Sequence, residues 1–106
     1  MAQFDVHRNT GKNRQAIPFV VVVQSSLFDG YRRRVVVPLV RKSFVTTIGD
    51  TRLNPSFTIG RVAVVLHPLE IVSVPNEQLG EFVKSLAHDG NLITDALDAL
   101  LTRAWG

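Results

Sequence analysis

Apolar and polar positions follow two regimes along this chain: short β-branched runs broken by turn residues as far as Val74, and helical spacing after it. Gln3-Phe4-Asp5-Val6 reads as a short first strand, and the polar run from Arg8 to Arg14 as a loop with solvated cations. Ile17-Pro18-Phe19-Val20-Val21-Val22-Val23-Gln24 is continuous rather than alternating, the pattern of a strand buried on both faces, with Pro18 marking its start. Arg32 to Val40 is a third strand, whose pleat sends Arg32 and Arg34 to one face and Arg33 to the other. Residues 41–55 lack a sustained period and read as an irregular connection. Phe57-Thr58-Ile59, Arg61 to Leu66 and Glu70 to Val74 add two or three strands, separated at Gly60 and at His67-Pro68. Turn signals about every ten residues predict a mainly β fold, a small antiparallel barrel or sandwich.

After Pro75 the period changes. Leu79, Phe82, Val83 and Leu86 fall at i, i+3, i+4 and i+7, and with Asn76 as cap and Gly90 as stop they predict a helix that covers the barrel. The last segment, residues 91–104, is apolar around most of its circumference, so a helix there must be buried on more than one side. One side lies on the barrel. The other predicts a homodimer with Leu97, Leu100 and Leu101 in the seam, because so small a domain has little surface with which to surround a helix by itself.

Two apolar features stand where a loop or a tail gains nothing from them. Leu27 and Phe28 lie in the turn Ser25-Ser26-Leu27-Phe28-Asp29-Gly30, either tucked beneath it as satellite core or displayed to a partner. Trp105, one residue from the C-terminus, either folds back onto the core or anchors a partner.

Composition narrows the classes. The 106 residues, 45% hydrophobic and 20% charged, suit a single domain spanning 1–106. No apolar run is long enough to span a bilayer and no signal-peptide core follows Met1, so a soluble, cytoplasmic protein without a membrane partner is expected. The absence of cysteine removes disulfides, thiolate metal sites and cysteine nucleophiles. Residues 1–53 hold nine Lys and Arg against three acids, whereas residues 54–106 hold three against six. The basic half suits nucleic acid, an acidic protein segment or the domain's own acidic half.

Catalytic signals are sparse. His7, His67 and His88 have no metal-ligand spacing, Ser25-Ser26 has no nucleophile elbow, and the seven glycines form no phosphate loop, so neither metal nor cofactor is expected. A ribonuclease needs only a base and an acid beside a cationic groove, which Arg32, Arg34 and a histidine supply in principle. The plain reading of Arg32-Arg33-Arg34 is a solvated strand start.

Gln3-Phe4-Asp5-Val6, Phe19 to Ser25 with the Leu27-Phe28-Asp29 turn, Arg33-Arg34-Val35-Val36-Val37-Pro38-Leu39, Pro55 leading to Ile59-Gly60, Ser73-Val74-Pro75, and a last helix with Ala96-Leu97-Asp98 before Trp105-Gly106 together resemble the CcdB toxins of toxin–antitoxin modules. The likeness runs from residue 2 to the end, and its strength is the shared order and spacing of pieces that are weak singly. It implies an SH3-like barrel of the CcdB and MazF type with a C-terminal helix, a homodimer, and a plasmid-maintenance toxin that is not an enzyme. Such a topoisomerase poison binds the A subunit of DNA gyrase and traps the cleaved-DNA complex, with no direct sequence-specific contact to nucleic acid. A CcdA-like antitoxin, acidic and disordered at its C-terminal end, neutralises it. On this likeness the gyrase contact falls to Asp98, Leu101, Trp105 and Gly106. Ser25, Ser26, Leu27, Phe28, Arg33 and Arg34, apolar anchors beside cations, suit the antitoxin. The tail departs from the family pattern: Thr102-Arg103-Ala104 intervenes before Trp105-Gly106, and aligning the helix rather than the tail puts Leu101 and Thr102 where the family has its aromatic pair. The rival readings are an mRNA interferase on the related barrel and a barrel interaction module without toxicity.

Overall fold

The computed structural model describes residues 2–46 and 49–102. Strands β1 (Asp5–Arg8), β2 (Phe19–Val22), β3 (Arg33–Arg41), β4 (Ser56–Ile59), β5 (Val62–Leu66), β6 (Val72–Pro75) and β7 (Phe82–Ser85) form one antiparallel sheet, followed by a helix, α1 (Gly90–Thr102). The nine-residue β3 is its spine: one edge pairs with β2 from Val36 to Leu39, and the opposite edge pairs first with β6 and then with β5. The sheet divides there, with the order β4-β5-β3-β2-β1-β7 on the main path, and curls into a half-barrel. Pro38 lies where β6 has ended and β5 has not begun, so its missing donor falls at the split, and its carbonyl accepts from the His67 N–H at 3.0 Å.

The continuous apolar run of β2 is explained by its central place between β1 and β3. Val6, Val21, Val37, Leu39, Ile59, Val64 and Leu66 meet Leu86 and the helix residues Ile93 and Ala96 in one core. Phe4, at φ 71°, adopts the left-handed region, held by its N–H to Val22 O and by its carbonyl accepting the Leu86 N–H at 2.8 Å. Its ring lies against Gly90, where a Cβ would come within 2.7 Å of it. Gly90 therefore opens the final helix rather than ending an earlier one.

The helix predicted between Asn76 and Gly90 does not form. Asn76–Gln78 is a 3-10 turn and Phe82–Ser85 is β7, which pairs with β1 through Asp5 to Ser85, Val6 to Lys84 and His7 to Phe82. A helix would leave that edge of β1 open. His7 secures the pairing: it is 6% exposed, its Nδ1–H donates to Gly80 O at 2.9 Å, and its ring meets Phe82 edge to face. Gly80 was the contrary signal, since glycine inside a helix costs about 1 kcal/mol relative to alanine. Its N–H donates to Arg8 O, and a Cβ there would run into that same backbone oxygen. Gly80→Ala is therefore expected to cost about 1–3 kcal/mol by forcing β7 from β1, read as a lowered denaturation midpoint. Asn76, assigned as a helix cap, instead ties β6 to the turn before β3, through its N–H to Arg32 O at 2.9 Å and its Nδ2 to Tyr31 O at 3.2 Å.

Candidate partner-binding site

The turn between β2 and β3 displays its apolar residues. Ser26–Phe28 is a 3-10 turn capped by Ser25, whose Oγ accepts the Leu27 N–H at 3.2 Å. Leu27 is 88% exposed and Phe28 50%, so neither is satellite core. Gln24 braces the turn from β2: its Oε1 accepts the Val35 N–H and its Nε2 donates to Phe28 O, both at 3.0 Å.

Arg34 braces it from β3, and here the structure corrects an expected contact role. The residue is 4% exposed, with Nη1 donating to Tyr31 O at 2.7 Å and to Arg33 O at 2.9 Å, and Nη2 to Asp29 O at 2.8 Å. The Asp29 carboxylate lies 3.9 Å away. The β3 pleat turns this arginine inward, where it can cap carbonyls that would otherwise be orphaned; little of its charge is left for a partner.

Arg33, on the opposite face, is exposed. Its Nε donates to Ser73 Oγ and its Nη2 to Ser73 O, both at 2.8 Å. Val35 directs its own N–H and carbonyl to the Gln24–Val23 side, so its partner Ser73 points its backbone away from β3. Arg33 therefore occupies the carbonyl on the free edge of β6, and the nearby Pro75 has no N–H to offer. An added strand would have to compete with Arg33 for that carbonyl, and the cleft beside it offers side chains to a partner.

Those side chains surround a cleft of about 400 Å³ lined by Gln24, Phe28, Tyr31, Arg33, Val35 and Ser73. Phe28 and Tyr31 meet edge to face at 6.1 Å between ring centres. The arrangement suits a bulky apolar side chain accompanied by a carboxylate at Arg33. Gln24, Tyr31 and Ser73 were not among the expected site residues; the lone tyrosine beside Gly30 was the available signal.

The residues assigned to the second contact lie on another element. In α1, Ile93 and Ala96 are buried and Leu97 and Leu100 half-buried, forming the stripe that faces the core. Asp98 is exposed and Leu101 is 70% exposed, beyond that stripe. Within one chain, then, the helix buries one face. It packs against the turn Pro68–Glu70, whose Leu69 is 65% exposed. Trp105 and Gly106 lie outside the described residues. His7 lies in β1, His67 between β5 and the turn Pro68–Glu70, and His88 in the 3-10 turn Ala87–Asp89, and among the described residues no three His, Cys, Asp or Glu side chains are grouped to hold a metal ion. No helix among them is long and apolar enough to cross a membrane.

A family model described as CcdB protein matches residues 3–103. A solved structure described as "Endoribonuclease in complex with its cognate antitoxin from Mycobacterial species" is similar at a TM-score of 0.75 and 16% identity, over 100% of this chain and 99% of that one. At that identity the likeness is one of fold, and it bears out the expected mainly β barrel with a C-terminal helix.

Proposed function

This chain belongs to the CcdB family, toxins of toxin–antitoxin modules, and from that premise we propose that it acts by binding: it holds the A subunit of DNA gyrase and traps the cleaved-DNA complex, without catalysis of its own. The observation that carries a binding role is the turn at Leu27-Phe28, where apolar side chains are displayed to solvent on a backbone held by Gln24 at Phe28 O and by Arg34 at Asp29 O. A backbone already held in place has less conformational freedom to lose on association. We assign the gyrase contact to Asp98, Leu101, Trp105 and Gly106. Removal of Trp105-Gly106 is expected to abolish gyrase binding and toxicity with little change in melting temperature, because terminal residues bury little core area.

An acidic antitoxin segment is the proposed occupant of the cleft, with Leu27 and Phe28 as anchors, Arg33 as the cation, and Ser25, Ser26 and Arg34 holding the turn in shape. Phe28→Ala should weaken the antitoxin complex by more than about 1 kcal/mol, measured by titration calorimetry, and added salt should weaken it further through Arg33. Unchanged affinity would remove the cleft from the antitoxin site. The proposed homodimer uses the side of α1 that carries Leu101, with Leu97 and Leu100 beneath it.

Expression in a gyrase-sensitive bacterium tests the reading. A DNA-damage response and covalent gyrase–DNA complexes are expected. Degradation of naked RNA by the purified protein, with gyrase unaffected, would put the mRNA interferase reading in its place.

A further inference from the structure

A second pocket, of about 360 Å³, lies between the β1–β2 loop, the end of β3 and the segment after β5, and it shares no lining residue with the cleft. Its wall contains Ile17, Val40 and Val45, its rim contains Phe44 at 54% exposure, and Asn13, His67 and Glu70 contribute polar groups. Exposed cations flank the lining residues in the chain: Lys12 and Arg14 on either side of Asn13, and Lys42 in the 3-10 turn that carries Phe44. The rim is fixed in place, since Arg41 N–H donates to Ala16 O at 2.7 Å and Arg41 Nε to Gln15 O at 3.0 Å.

We propose that this pocket seats one base of a single-stranded nucleic acid while Lys12, Arg14 and Lys42 hold the neighbouring phosphates. The exposed Phe44 ring offers a stacking face, and the apolar wall offers a dry surface for the flat side of a base. Asn13, exposed at the mouth, supplies hydrogen-bonding groups for its edge. Glu70, exposed at the rim, is an acceptor for the amino or ring N–H groups of a base. The volume falls within the range of small-ligand pockets, about 300–1,000 Å³. No chemistry is required of the site, and it is independent of the gyrase reading.

Fluorescence anisotropy with labelled five-nucleotide RNA and DNA strands tests the proposal on the whole chain. Binding of at least one strand is expected, weakening as salt rises. Phe44→Ala and Glu70→Gln should each weaken it about ten-fold, while Lys12→Gln should reduce the slope of affinity against salt. Phe44 and Glu70 are exposed, so the variants should melt as the parent does. Failure of both strands to bind, binding unaffected by Phe44→Ala and Glu70→Gln, or equal binding of a polyglutamate peptide would overturn the proposal.

Discussion

Replacing Arg34 with leucine should lower stability by roughly 2–4 kcal/mol and release the turn that carries Leu27 and Phe28. The guanidinium is buried and donates to three backbone carbonyls, Asp29, Tyr31 and Arg33. Leucine supplies apolar volume but no donor, so those carbonyls must find water or the turn must open to reach it. In a domain of about this size each kcal/mol is worth roughly 4–8 °C, so the melting temperature should fall by more than about 8 °C. Arg34→Lys retains the charge, but one ammonium cannot reproduce the planar fork, and it should recover only part of the loss. Arg33→Leu is the control. That side chain is exposed and loses only its bonds to Ser73, so its cost should stay within about 1 kcal/mol. Equal melting temperatures for Arg34→Leu and Arg33→Leu would show that the inward arginine does not hold the turn.

The second large effect lies in α1, where position determines which property is lost. Leu97 is half-buried and packs against the core of its own chain, so Leu97→Asp places a carboxylate against apolar neighbours and should cost several kcal/mol in a monomer and a dimer alike. Unfolding of that variant says nothing about a dimer. Leu101, at 70% exposure, separates the two: Leu101→Asp should leave the fold intact and convert the proposed dimer to monomer. Sedimentation of the parent chain as a folded monomer at micromolar concentration would contradict the dimer. A Leu101→Asp variant that still sediments as a dimer would move the seam to another face.

Much of the sheet was legible in the sequence because β-branched runs between turn residues have few other ways to be buried. That Arg33 and Arg34 take opposite faces follows from the pleat of a strand, but which of them turns inward, and the burial of Arg34, do not. It depends on three carbonyls that only the folded β2–β3 turn brings together. The segment after Pro75 failed for a different reason. Phe82-Val83 and the flanking leucines satisfy helical spacing, and the choice was made by the unpaired edge of β1, which local periodicity does not contain. The contact residues divide in the same way. Leu27 and Phe28 stood out because apolar residues in a turn require an explanation, whereas Ser73 enters the cleft only because β6 pairs with the first half of β3. The apolar circumference of the last helix was visible, but within one chain its large apolar residues divide, Ile93, Leu97 and Leu100 toward the core and Leu92 and Leu101 exposed.

The most direct test of gyrase poisoning is a cleavage assay with purified gyrase, supercoiled plasmid and this chain, stopped with detergent and protease. Linear DNA should accumulate with the parent chain and disappear when Trp105-Gly106 is removed from a chain that still melts normally. Plasmid that is never linearised at any toxin concentration, by a folded parent chain and fully active gyrase, would contradict the account.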